Sequence, residues 1–470
     1  MKDQRIKKNR SIKAPRSPLT NPTYRRFFAA QIVALAGTGI TTIALALLAY
    51  DLAGSEAGVV LGTALALKMA AYVFIAPIFG SFVHRMDRRK TLVALDLGRA
   101  SLVFLLPLVS EVWHIYALIL LINLFSAGFT PTYQATLPQI LPDEADYTRA
   151  LSLSRLAYDL ENLLSPLLAA ALLVFLSYSS LFAINSIAFL ISAALVLSIS
   201  LPKAQAPTRT GGIWQKLSFG TWAYLKTPRL LALLALSLAV AAAGAMVIVN
   251  TVVYVQGSLG GGDTETAVAL AGAGAGSMMT ALVLPKLLDD LSDRLLMLSG
   301  GFILAVALFL GASLPGYVGL LSLWVAVGVG LSLIQTPAGR LVARSASDPD
   351  RPAVFAAQFS LSHGCWLLGY LSAGWLTLTF GFATTFYILA ATCALSTLVA
   401  MIVWRSPDET AMWHSHDALS HSHEHIHDAH HGHDHEGWEG PEPHTHLHTH
   451  PPVKHRHAFH IDSHHPVWPR

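Results

Sequence analysis

Ser154-Arg-Leu-Ala-Tyr-Asp159-Leu-Glu161-Asn162-Leu-Leu-Ser-Pro166 sets charged and amide side chains into a run that otherwise reads as a membrane-spanning helix. A charge near the bilayer centre costs about 2.5–3.5 kcal/mol on insertion scales, and residues kept there usually face a bundle interior or a water-filled path. The stretch therefore implies a polytopic membrane protein with something polar to move.

Composition agrees. Of 470 residues, 53% are hydrophobic and 13% charged, and the mean hydropathy of +0.51 excludes a soluble multidomain protein. The two cysteines, Cys365 and Cys393, lie in apolar runs, so neither a disulfide framework nor a CxxC metal site is expected. No catalytic constellation is visible, so the chain does not read as an enzyme.

Twelve apolar runs follow one another, at about 27–50, 57–83, 91–109, 112–136, 149–175, 178–200, 229–256, 264–288, 293–312, 316–341, 352–379 and 381–404. About 20 residues suffice to cross 30 Å of hydrocarbon. Residues 1–26 form a basic tail with nine Lys/Arg and one acid. It contains no apolar core of a cleaved signal, so the first helix is expected to direct insertion. Loops on one side hold Arg85, Arg88, Arg89, Lys90, Arg149, Lys203, Arg209, Lys216, Lys226, Lys286, Arg294, Arg344 and Arg351. Loops on the other hold Asp51, Glu56, Glu111, Asp263 and Glu265 and no cation. The positive-inside rule then puts both termini in the cytoplasm and explains the basic N-terminus without nucleic acid.

Residues 201–228, rich in Pro, Gly and Thr, divide the helices into an N-terminal bundle, 27–200, and a C-terminal bundle, 229–404. An internal repeat supports the division: Thr130-Pro131 recurs as Thr336-Pro337 at an offset of 206, and the next helix of each half starts after Asp146 or Asp350, an offset of 204. Carried along the fifth and eleventh helices, the second offset aligns Asp159 with His363 and Glu161 with Cys365.

The loop Gly80-Ser-Phe-Val-His84-Arg85-Met-Asp87-Arg88-Arg89-Lys90 resembles the signature loop of the major facilitator superfamily, with His84 where that family usually has an acid. Asp87, Phe129-Thr-Pro131 and Tyr50-Asp51-Leu-Ala-Gly54-Ser55 resemble its enterobactin-exporter-like branch. The resemblance implies an all-α membrane protein of two pseudo-symmetric six-helix bundles. These would rock about a midplane site, with Gly80, His84, Arg85, Asp87, Arg88 and Arg89 in the loop that conditions the conformational change.

Residues 405–470 hold 19 of the 22 histidines. They include His414, His416, His421, His423, His425, His427, His430, His431, His433, His435, His444, His446, His448 and His450, interleaved with acids. Every-second-residue spacing puts imidazoles on one side of an extended chain, and neutral imidazole binds Ni, Co, Cu and Zn. As a low-complexity tract the tail is expected to be disordered, and its metal affinity could be incidental. A facilitator core with such a tail resembles the bacterial nickel-resistance exporters. Within that resemblance, Ala357-Gln-Phe-Ser-Leu-Ser-His363-Gly-Cys365-Trp and Ala66-Leu-Lys68-Met resemble the eleventh and second helices.

Among the helix residues, Asp159 could pair with Arg155 four residues earlier, or face the cavity with Asn162 and bind cation or proton. Glu161 lies about 200° round the helix from Asp159, so only one of them can face a single pore. His363 reads equally as a hydrogen-bonded core residue or a ligand, and Cys365 more readily as a small hydrophobe. Lys68 has no acid within one turn, so its partner belongs to another helix, with Asp159 and Glu161 as candidates; the major facilitator resemblance, in which the second and eleventh helices are neighbours, also implies a place near His363. Asp96 and Arg99, three apart, read as a structural pair, and Gly272-Ala-Gly274-Ala-Gly276 as close helix packing.

The expected function is export of nickel, with cobalt second, by proton antiport, with Asp159 and His363 as the leading pathway residues, from a bacterial inner membrane with both termini cytoplasmic. No cofactor beyond the metal substrate is expected, and the protein is expected to be a monomer in lipid. The alternatives are a siderophore or drug exporter and a membrane-anchored metal buffer or sensor.

Overall fold

The computed structural model describes residues 17–75, 87–201, 213–346, 350–405, 411–416, 419–425, 444–450, 453–458, 461 and 468, with the backbone alone at some positions. Asn21 starts the bundle: its side chain accepts from the Thr23 and Tyr24 amides, and Pro22 occupies the first helical position. Helix α1, Pro22–Ala53, ends at Gly54, whose φ of 52° suits a residue without Cβ. Helix α2, Ala57–Ala70, continues as a π-helical turn, Ala71–Ile75. Helix α3, Arg88–Leu105, starts at Asp87, whose carboxylate accepts from the Lys90 amide at 3.1 Å. Helices α4, Val112–Ile140, α5, Glu144–Leu173, and α6, Tyr178–Leu197, complete the N-terminal half.

The second half comprises α8, Pro228–Val252, α9, Asp263–Asp290, α10, Asp293–Gly311, α11, Tyr317–Ala343, and α12, Arg351–Val403. At about 1.5 Å per residue, the 53 residues of α12 exceed twice the bilayer thickness. Gly381, with φ 77° and ψ 173°, breaks it into two membrane-length arms. Among the described residues, nine stretches are long and apolar enough to cross a membrane, and two of them, 22–75 and 353–403, each contain a pair of crossings. Helix α5 supplies the twelfth crossing: its charged first half leaves only Leu164–Leu173 as an apolar segment. The expected all-α architecture of twelve helices in two bundles is therefore present.

Two features go beyond the expectation. Part of the segment read as a Pro/Gly/Thr-rich linker is a helix, α7, Ile213–Lys226. Its Tyr224 is buried and donates to Gln358 Oε1 on α12; burial pushes the phenol pKa up. The described residues of the tail, expected to be disordered, include four strands: β1 Ala411–His416, β2 Leu419–His425, β3 His444–His450 and β4 Val453–Ala458. They pair antiparallel as β1 with β4 and β2 with β3. Alternation of His with Ser and Thr is compatible with a pleated ladder, a pairing that composition does not reveal. Pro451-Pro452, which have no N–H to donate, stand between β3 and β4.

Candidate transport site

Helix α2 and the first arm of α12 cross antiparallel and join the two halves. A Cβ added at Gly62 would lie under 3.0 Å from the Tyr370 carbonyl oxygen, and one at Gly374 under 3.0 Å from that of Gly58. Gly58-Val-Val-Leu-Gly62 is thus a GxxxG surface that admits backbone close to backbone. Farther along the same crossing stand Lys68 and Tyr72 on α2 and Phe359 and His363 on α12. The His363 ring lies 3.9 Å from that of Phe359 and 5.7 Å from that of Tyr72.

Lys68 is half-buried and interacts electrostatically with Glu161 of α5 and with His363. The Glu161 Cγ lies 3.2 Å from where a Cβ on Gly39 of α1 would stand, so the acid occupies the α1–α5 crossing. Nearby, Ser154 donates to Gln31 Oε1 at 3.1 Å. Lys68 of α2 thus interacts with a carboxylate from α5 of its own half and with an imidazole from α12 of the other. His363 Nδ1 lies 2.7 Å from the Phe359 carbonyl oxygen. A carbonyl only accepts, so Nδ1 carries the hydrogen and Nε2 keeps a lone pair for a cation or a proton.

The remaining expected site residues distribute as follows. Asp159 and Asn162 lie on α5, and their side chains, like that of Arg155, are outside the described residues. Cys365 is buried and lies within electrostatic range of Tyr224 of α7. Gly80, His84 and Arg85 of the loop lie outside the described residues. Asp87 caps α3, Arg88 is buried, and Arg89 donates to the Leu197 carbonyl at the end of α6. Of the tail histidines, His427, His430, His431, His433 and His435 lie outside the described residues; the other nine named above lie on β1, β2 and β3. Among residues with described side chains, no group of three or more His, Cys, Asp or Glu is gathered for a metal.

Asp96 and Arg99 form the expected buried ion pair, with Ser192 donating to Asp96 at 2.7 Å and the guanidinium 4.3 Å from the ring centroids of both Phe129 and Phe189. A second ion-pair cluster was not anticipated. Asp293, buried at the start of α10, pairs with Arg340 of α11 and, at 3.4 Å, with Arg344, which caps the C-terminus of α11. The signal for it was present: Asp87-Arg88 recurs as Asp293-Arg294 at the same 206 offset as the Thr-Pro pairs. At that offset Arg340 and Arg344 correspond to Gln134 and Pro138, so the N-terminal half has no cations at these places.

The family model described as Major Facilitator Superfamily matches residues 27–289 and 234–421. The chain belongs to the Major Facilitator Superfamily. It is accordingly a multi-pass membrane transporter. A facilitator relative, the uncharacterized MFS-type transporter YfiS of Bacillus subtilis, is 25% identical over 340 residues, covering 70% of this chain and 81% of YfiS. Macrolide efflux protein A of Streptococcus pyogenes is 26% identical over 181 residues, covering 37% of this chain and 44% of that protein. Among solved facilitator folds, the nucleoside transporter NupG superposes with a TM-score of 0.64 at 12% identity, over 82% of this chain and 99% of NupG. A bacterial homologue of the human lysosomal transporter Spinster, in an inward-facing and occupied conformation, also gives 0.64 at 12% identity, over 83% of this chain and 97% of the homologue.

Proposed function

We propose that this facilitator exports a divalent transition-metal cation, nickel first and cobalt second, from the cytoplasm in exchange for protons. The bacterial inner membrane is the expected setting, with both termini cytoplasmic. The observation that carries the reading is the Lys68–Glu161–His363 group at the junction of the halves, with His363 Nε2 free of its backbone bond. Neutral imidazole and carboxylate are ligands of borderline divalent cations. Without metal, the Lys68 ammonium neutralises Glu161. An incoming dication and that ammonium repel by about 8 kcal/mol at 4 Å and an effective dielectric of 20. Lys68 must therefore release its proton to water or withdraw as metal takes the carboxylate. Metal and proton then occupy Glu161 and its partner alternately, which is the requirement for antiport. A histidine-rich tail on the cytoplasmic side stands where metal would be captured for export.

A second reading, export of an organic molecule, is favoured by the similarity to macrolide efflux protein A, which reaches 44% of that relative. A third, a membrane-anchored metal buffer, would bind metal without moving it. The test is uptake of Ni²⁺, Co²⁺ and Zn²⁺ into inside-out vesicles with and without an imposed proton gradient, for the wild type, Glu161→Gln and His363→Ala. Gradient-driven accumulation of one metal, lost in both variants at equal protein level, is expected. Accumulation of a macrolide but of no metal would overturn the metal reading, and accumulation intact in both variants would overturn the site.

A further inference from the structure

In the β2–β3 ladder, His421 stands opposite His448, His423 opposite His446 and His425 opposite His444. Alternate positions of a strand share one face. These six residues therefore occupy the same face of the ladder, together with His450 opposite Leu419. Ser420, Ser422 and Glu424, with their partners Thr449, Leu447 and Thr445, occupy the other. Opposed Cβ atoms in such a ladder lie about 4.5–5.5 Å apart, and same-face neighbours along a strand about 6.6 Å. Two adjacent opposed pairs thus place four histidine positions on one face within the span that the ligands of a single metal ion cover, with metal–nitrogen bonds of about 2.0–2.1 Å for zinc.

Sequence spacing alone describes rows of imidazoles along separate segments. The register turns two rows into opposed pairs, and the same register continues into β1–β4, where His414 stands opposite His455. A two-stranded ladder is marginal in water by itself, and like charges set directly opposite one another destabilise it. A face of opposed histidines is thus a poor ladder when protonated and a cross-linked one when a cation is bound.

The tail is also tied to the bundle beyond β4. Ile461 is buried in the main apolar core, and the Trp468 ring lies 5.3 Å from the Arg229 guanidinium at the start of α8. The C-terminal end of the four-strand segment is thereby held at the bundle, and β1 follows α12 in the chain, which keeps the strand rows close to each other at high effective concentration.

We propose that the histidine face of the β2–β3 ladder is a metal site for borderline divalent cations, Ni²⁺, Co²⁺, Cu²⁺ or Zn²⁺, built from cross-strand imidazole pairs, and that the cation holds the ladder closed. The proposal rests on the metal reading above for its ligand class. Its geometry is tested independently of transport, with full-length protein in nanodiscs and Ni²⁺ and Zn²⁺ as probes. In an exchange variant, His444→Thr, Thr445→His, His446→Leu, Leu447→His, His448→Thr and Thr449→His are combined. Composition and histidine count are unchanged, while three imidazoles pass to the opposite face.

Equilibrium dialysis is expected to show the tight binding class weakened by about tenfold or more, since disturbing even outer-shell partners of a metal site costs about 10–100-fold in affinity. Equal affinity in wild type and variant would mean that the tail chelates by composition alone and would overturn the site while leaving metal export standing. No metal binding by the wild type would remove the site and the tail's part in capture, and the vesicle assay would then decide export separately. As a second readout, spin labels at Ser420→Cys and Thr449→Cys, an opposed pair on the other face, are expected to give one short distance with Zn²⁺ and a broad distribution after chelation. A distribution indifferent to Zn²⁺ would overturn the claim that the cation closes the ladder.

Discussion

Gly62→Ala is expected to shift the protein away from the conformation in which α2 and the first arm of α12 are pressed together. The added Cβ would stand under 3.0 Å from the Tyr370 carbonyl oxygen, whereas ordinary contact begins at 3.4 Å. The backbones must part by at least about 0.4 Å, and neither can yield by a rotamer change because the opposing atom is main chain. Overpacking of this kind costs about 1–3 kcal/mol. Because the contact joins the two halves, that cost falls on the state closed at this crossing rather than on the folding of either half. It corresponds to about a 5- to 150-fold change in the ratio of the two transport conformations. The assay is the labelling rate of Tyr50→Cys by a membrane-impermeant maleimide. Tyr50 of α1 approaches Gly257 of the other half, with its hydroxyl 3.4 Å from where a Cβ there would stand, so its exposure follows separation at that end. Labelling should accelerate in Gly62→Ala and stay unchanged in Gly339→Ala, where an added Cβ meets nothing within 4 Å. Unchanged labelling with unchanged transport in Gly62→Ala, at equal protein level, would refute the view that this glycine crossing closes the path.

Two further outcomes follow from the buried charges. Lys68→Ala removes the cation that Glu161 interacts with; both residues are half-buried, so the cost is expected below the about 3–5 kcal/mol of breaking a fully buried pair from one side. The thermal midpoint in detergent should fall and recover in part in Lys68→Ala/Glu161→Gln; equal stability of the single and double variants would show that the two are not coupled. Arg99→Ala leaves Asp96 buried with Ser192 alone and empties the space between Phe129 and Phe189. It should lower folded yield by a mechanism unrelated to transport, so normal yield with lost transport would move this pair from structure to function.

The membrane class, the twelve crossings and the two-fold repeat were legible because they depend on local quantities: run length, hydropathy and spacing along one chain. The polar outliers Lys68, Glu161 and His363 were legible for the same reason, since each stands against an apolar background. That Glu161 interacts with Lys68 was not. Helical periodicity separates Asp159 from Glu161 by angle but does not say which neighbouring helix each angle faces, and packing of α5 against α1 is what sets Glu161 toward the lysine. Gly58-Val-Val-Leu-Gly62 and the Asp293-Arg294 repeat were present in the sequence, but their partners, Tyr370 and Gly374 for one and Arg340 and Arg344 for the other, lie tens to hundreds of residues away. In the tail, alternation placed histidines every second residue, and only the pairing of β2 with β3 set them opposite one another. The sequence by itself determined what each segment can do in a bilayer or as an extended strand. The tertiary structure alone decided which segments meet, because helix crossings and strand registers are set by non-local packing and hydrogen bonding that no single stretch of chain contains.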